Sequence, residues 1–209
     1  MAGKYGRDCG DGCCCCLLKL LFEIIAAVLI IVGIAALVFW LIFRPVNLVK
    51  FHVTEAELTQ FNLTAGNSVL NYDLQLNLTI RNPNKKIGVY YDRLEARAFY
   101  EDQRFSVADV APFYQGHKTT SVVSPVFAGQ QVVVLGATDL SGFNADKTAG
   151  VFNIKVKLYL RLRFKLGSWK TFRFKPKVKC SLMVPLSSNN GGSTVKFQTT
   201  KCDIDWNIF

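Results

Sequence analysis

Residues 24–43 form an unbroken run without a charged or polar side chain. A helix of about 20 residues at 1.5 Å rise crosses the roughly 30 Å hydrocarbon layer of a bilayer. Two other structures put an apolar stretch near an N-terminus. A cleaved signal peptide has an apolar region of only about 7 to 15 residues and small residues before its cut. This run is longer and ends in the bulky Val38, Phe39, Trp40, Leu41, Ile42 and Phe43. A buried core helix fits poorly with Trp40 at the end of the run and Arg44-Pro45 just beyond it. The sequence therefore predicts an uncleaved signal anchor over 20–43, a Cys-rich cytosolic tail over 1–19 and one folded domain over 44–209.

Flanking charge does not orient the anchor, because Lys4, Arg7 and Lys19 before it are nearly matched by Arg44 and Lys50 after it. Cysteines are more informative. Cys9 and the run Cys13, Cys14, Cys15 and Cys16 stand beside the span, where cytosolic thiols are sites for palmitoylation. Each acyl methylene that enters the bilayer contributes roughly 0.8 kcal/mol, and unmodified thiols are the alternative. Cys180 and Cys202 flank the polar stretch 187–194 and are placed to close it with a disulfide in an oxidising compartment. Two N-glycosylation sequons begin at Asn62 and Asn77, so the expected topology is N-terminus inside and domain outside. The final residues carry no long apolar tail, so a C-terminal lipid anchor is not expected.

Beyond Pro45 the hydrophobic period becomes two. Tyr72, Leu74, Leu76, Leu78 and Ile80 alternate with polar neighbours, which predicts a half-buried strand, and Asn82-Pro83-Asn84 ends it. A second strand is predicted from Leu94, Ala96, Ala98 and Tyr100, and a buried one over 131–135, with no helical period competing. The longest alternation runs from Phe152 to Leu166 and turns at Gly167-Ser168. It is predicted to return with Phe172, Phe174, Pro176, Val178, Cys180 and Leu182 on the apolar face. Antiparallel strands of this kind bury their faces against a second sheet, so the fold class is all-β, an immunoglobulin or fibronectin III-like sandwich.

The formal charge is +10, and residues 147–202 contain thirteen Lys and Arg but no Asp or Glu. Lys155, Lys157, Arg161, Arg163, Lys165, Arg173, Lys175, Lys177 and Lys179 are expected to form one basic face of the hairpin. Such a face discourages edge-to-edge aggregation or meets an anionic partner, either an acidic polysaccharide or lipid phosphate. Catalysis has little to work with. The two histidines, His52 and His117, are 65 positions apart, and no HExxH, paired CxxC, GxSxG or phosphate loop is present. No metal or cofactor is expected, and an extracytoplasmic domain argues against nucleic acid.

Three ordered motifs carry a resemblance. They are residues 82–92, with Asn82, Pro83, Asn84, Tyr90, Tyr91 and Asp92; residues 112–118, with Phe113, Tyr114, Gln115, Gly116, His117 and Lys118; and the hairpin from Gly150 through Gly167. Over nearly its whole length the chain resembles the plant harpin-induced and non-race-specific-disease-resistance-like (NHL) proteins, which carry a type-2 late-embryogenesis-abundant domain. The resemblance implies a β-sandwich at the plasma membrane, in some members at plasmodesmata, linked to pathogen defence, senescence and abiotic stress and without catalytic activity. Here Lys118 meets Thr119-Thr120 directly, where many members insert an Asn. The motif residues Asn82, Pro83, Asn84, Gln115 and Gly116 are expected to make turns, while Tyr90, Tyr91, Phe113 and Tyr114 pack over an end of the sandwich or face a partner. The expected function is a non-enzymatic membrane-anchored protein of defence and stress signalling that contacts a protein or the cell wall. The alternative is a lipid-binding module with an apolar cavity between its sheets.

Overall fold

The computed structural model describes residues 11–43, 47–64, 66, 68–187 and 196–206, with side chains described over 19–40 within the first helix. Two compact units divide at Val46/Asn47. The first contains one helix, α1 (Asp11–Phe43), which begins well before the apolar run and takes in Cys13 to Cys16. Its stretch Lys19–Trp40 is long and apolar enough to cross a membrane. Leu21, Phe22, Leu29, Ile31 and Phe39 are all exposed, so the apolar surface runs around the helix instead of forming one stripe.

The second unit is a sandwich of two antiparallel sheets. The first sheet joins β1 (Lys50–Thr64), β2 (Val69–Arg81), β6 (Thr120–Val123), β7 (Val126–Val132) and β11 (Thr200–Lys201). The second joins β3 (Ile87–Tyr100), β4 (Gln103–Val110), β5 (Phe113–Gln115), β8 (Val151–Leu166), β9 (Trp169–Lys170), β10 (Lys177–Pro185) and β12 (Asp203–Asp205). The even-numbered residues of β2, β8 and β10 face inward, as the alternation predicts. In β3 the parity changes. Val89 and Tyr91 are buried before a register shift at Asp92, and Leu94, Ala96 and Ala98 after it. That extra residue bends the strand and turns the Asp92 carboxylate outward.

Leu, Ile and Val side chains fill most of the interior, and an aromatic cluster around Phe61 completes it. Phe61 touches Tyr100, Phe105, Phe143 and Phe152 with ring centroids 4.7 to 5.9 Å apart, and Tyr72 lies 4.9 Å from Phe105. This packing counts against an acyl chain held between the sheets.

Three local expectations are corrected. Residues 131–135 are not a buried strand: β7 ends at Val132, and Gln131, Val132 and Val134 are exposed while only Val133 is buried. A helix that the alternation did not reveal, α2 (Ala137–Ala149), follows it. Only Phe143 of α2 is buried, so it has no apolar stripe to read; Gly150, at φ 70°, stops it. Phe172 is not on the apolar face. The pairs Lys165↔Lys170 and Leu162↔Phe174 leave two residues of β8 opposite three of the returning chain, and this bulge turns Phe172 out to 91% exposure.

After β10 the chain laces the sheets together. Ser187 N donates to Leu58 O (2.8 Å), β11 pairs with β1, Cys202 N donates to Phe51 O (3.0 Å), and β12 then pairs with β10. A disulfide joins buried Cys202, the residue at which the chain crosses between sheets, to Cys180 of β10, with Cα atoms 4.5 Å apart.

Candidate functional site

The motif residues converge where the chain enters the sandwich. Asn82 is fully buried. Its Nδ2 donates to Ile87 O (2.8 Å) and Gly116 O (2.9 Å), and its Oδ1 accepts from Asn84 N (3.1 Å) and Asn84 Nδ2 (3.0 Å). Asn84 exchanges two 2.7 Å bonds with the backbone of Asn47. Gln115 Nε2 donates to Ile80 O (2.7 Å), while its Oε1 accepts from the Tyr91 hydroxyl (3.1 Å). Lys118 N donates to Asn84 O (3.0 Å) from a left-handed turn at φ 51°. Three buried amides thus tie the incoming chain, the β2–β3 turn and the β5–β6 turn into one clamp. A side chain with both a donor and an acceptor is needed at each position, so the motif is structural.

The tyrosines divide into two roles. Buried Tyr91 stacks on Phe113 at 4.4 Å and 11°, and burial pushes its phenol up. Tyr90 and Tyr114 pack against each other on the surface at 4.5 Å. Lys170 Nζ lies 5.1 Å from the Tyr90 ring and Lys165 Nζ 5.8 Å from the Tyr114 ring. Gly88 allows this arrangement: a Cβ there would collide with the Tyr114 hydroxyl. Beside the pair is an open cleft of about 540 Å³, lined by Lys85, Lys86, Tyr114, His117, Lys165, Leu166 and Gly167, a wall with no carboxylate.

On the outer face of the second sheet, Lys155, Lys157, Arg161, Arg163 and Lys165 alternate along β8, with Lys177 and Lys179 on β10. Arg173 and Lys175 precede β10 in irregular, exposed chain. Acids remote in sequence neutralise part of this face. Asp92 takes two bonds from Arg163 (2.6 and 2.7 Å) and lies 3.7 Å from Arg173. Lys155 meets Asp102 at 2.9 Å and Lys179 meets Asp205 at 3.4 Å, while within β3 Glu95 is held between its own near neighbours Arg93 and Arg97. The Arg163 hydrogen bond holds the Asp92 carboxyl below the usual carboxylate range, and Arg97 does the same for Glu95. A folded-state pKa below the unfolded one gives stability that is complete above about pH 4 and disappears as pH falls through the lowered value. Acid unfolding of the full chain in detergent should therefore steepen below about pH 4, and Asp92→Asn should flatten that dependence. An unchanged profile in the variant would remove Asp92 from this account.

The modification sites are in different settings. Asn77 Nδ2 donates to Glu55 Oε2 (2.5 Å) and its Oδ1 accepts from Ser124 Oγ (2.6 Å), so this amide is engaged at both ends. Asn62, near the end of β1, accepts from Gln60 Nε2 (3.3 Å). Cys9 and the side chains of Cys13, Cys14, Cys15 and Cys16, the expected palmitoylation sites, lie outside the described residues. His52 lies in β1 and His117 on the wall of the cleft, and among the described residues no three His, Cys, Asp or Glu side chains are grouped to hold a metal.

Residues 77–180 match the late embryogenesis abundant protein family, LEA_2. NDR1/HIN1-like protein 10 of Arabidopsis thaliana is 50% identical over 98% of this chain and 90% of its own length. The chain belongs to the NDR1/HIN1-like family. NDR1/HIN1-like protein 3 of the same plant is 52% identical over 86% of this chain and 77% of its own, and NDR1/HIN1-like protein 2 is 47% identical over 81% and 70%. Within this NDR1/HIN1-like chain the LEA_2 match spans the amide clamp, the cleft and the basic strand β8. It stops at Cys180, short of its partner Cys202 and the lacing strands β11 and β12.

Proposed function

We propose that this chain is a non-enzymatic, membrane-anchored protein of plant defence and stress signalling, which works by contact between its β-sandwich and a protein or wall partner. The observation that carries this reading is the match to NDR1/HIN1-like proteins along almost the whole chain, α1 included. α1 holds the sandwich at the plasma membrane, the sandwich faces the apoplast, and some of the protein resides at plasmodesmata. Acylation of Cys9 and Cys13 to Cys16 adds to the anchor. In the apoplast the Cys180–Cys202 bond is stable to reduction. A glycan on Asn62 disturbs the fold less than one on Asn77, whose amide is held by Glu55 and Ser124.

The test is genetic. Plants lacking the gene should mount a weaker response to an avirulent pathogen. Full chain should restore that response, and a chain with charged residues placed through α1 should not. Rescue by the unanchored chain would refute the anchored mechanism, and an unaltered response in the null plant would refute the defence role.

A further inference from the structure

Among the described residues, the most exposed aromatics of the sandwich are at one place. Trp169 is 83% and Phe172 91% exposed, at the tip of the β8–β9 hairpin and on the bulge next to it. Single exposed apolar residues such as Val134 and Met183 need no explanation, but two neighbouring exposed aromatics form a patch of the kind that marks an interaction surface. The bulge makes the placement specific, since without its extra residue Phe172 would point into the core. Lys170 stands between the two aromatics and Arg173 follows them, while Lys165, Lys85 and Lys86 line the carboxylate-free cleft, whose wall includes Leu166 and Gly167 of the same hairpin.

This hairpin tip is at the end where the chain enters. Leu166 pairs with Ile87, Ile87 O accepts from Asn82, and Asn84 holds Asn47. Only three residues, 44–46, separate Asn47 from the end of α1. Four peptide steps reach at most about 14 Å, so Asn47 can lie no farther than that from Phe43. A tip with Trp and Phe beside Lys and Arg has the composition of an interfacial anchor, in which aromatic rings rest at headgroup level and cations meet phosphate.

We propose that the Trp169–Phe172 tip and the Lys85/Lys86/Lys165 cleft form a docking site for phosphate-bearing lipid headgroups of the bilayer that carries the anchor. The aromatics seat at the acyl boundary, and the lysines take the phosphate in the cleft. Docking restrains the sandwich against the membrane surface and leaves the far end, capped by α2, for partners. This inference rests on the reading of α1 as a membrane span.

Single-tryptophan forms of the full chain separate the two ideas. Trp169→Phe/Trp206→Phe keeps Trp40 as a reporter of the anchor, and Trp40→Phe/Trp206→Phe keeps Trp169 as a reporter of docking. Both are reconstituted in phosphatidylcholine nanodiscs, with and without phosphatidic acid, using lipids brominated on the acyl chain. The expected result is quenching of both reporters, that of Trp169 already in phosphatidylcholine alone, since an apoplastic sandwich meets the phosphate of zwitterionic headgroups. Lys86→Glu or Lys165→Glu should lower the docked fraction about fivefold each. In the wild-type chain, amide exchange over 165–174 should slow in the same discs, a readout independent of the tryptophan replacements. Quenched Trp40 with Trp169 open to aqueous iodide and untouched by brominated lipid would overturn docking and leave the anchor standing. Loss of both signals would overturn the anchor and docking with it. Protection of Trp169 by oligogalacturonate alone would overturn the lipid assignment in favour of an acidic polysaccharide.

Discussion

Asn82→Ala is expected to destabilise the sandwich by about 4 kcal/mol, because it removes four hydrogen bonds from a buried site, although Gly116 O keeps the Thr119 hydroxyl and Asn84 Nδ2 keeps Asn47 O. Each buried group left without a partner costs about 1 to 3 kcal/mol, and a water admitted to the vacated space recovers part of the total. Asn82→Asp is nearly isosteric and should be no better, since it sets a carboxylate oxygen against the carbonyls of Ile87 and Gly116. The check is chemical unfolding of the full chain in nanodiscs, followed by near-ultraviolet circular dichroism. A loss below about 1 kcal/mol for the Ala variant would mean that the clamp is not the structural hub described above.

Reduction of the Cys180–Cys202 bond should cost about 3 kcal/mol, the loop-closure term for a sequence separation of 22 residues. The loss should appear first in the lacing strands, since β11 and β12 hold their neighbours by only two and three residue pairs. Amide exchange at residues 200–205 is therefore expected to rise before the core strands lose protection. Cys202→Ser and the double variant with Cys180→Ser should behave like the reduced protein. A urea midpoint indifferent to reductant would show that the lace holds without its covalent tie.

The layered architecture was legible because β2, β8 and β10 each bury one face, and a period of two survives wherever pairing is regular. Irregular pairing hid the rest. The bulge that exposes Phe172 follows from a one-residue mismatch between the turn at Gly167 and the pair Leu162↔Phe174, and neither register is written in the local pattern. α2 escaped because a short helix anchored by a single Phe143 has no periodic apolar face. For the candidate site, the motif asparagines were readable as turn-makers. Their union with Gln115 and Asn47 into one network was not, since it joins residues up to 37 positions apart. The cations of β8 were equally plain in sequence. Their partial neutralisation was not, because Asp92, Asp102 and Asp205 come from other strands and turns.

The most direct test of the account is the topology of the full chain in plant cells. Intact protoplasts expressing a C-terminally tagged protein are treated with protease, and the same sample is examined for a mobility shift with glycosidase and for free thiols at Cys180 and Cys202. An apoplastic sandwich gives loss of the tag, a shift that disappears with Asn62→Gln, and no labelling of the two cysteines without reductant. A protected tag at a verified cell surface, with no shift and two reactive thiols, would turn the sandwich toward the cytosol and contradict the proposed apoplastic role.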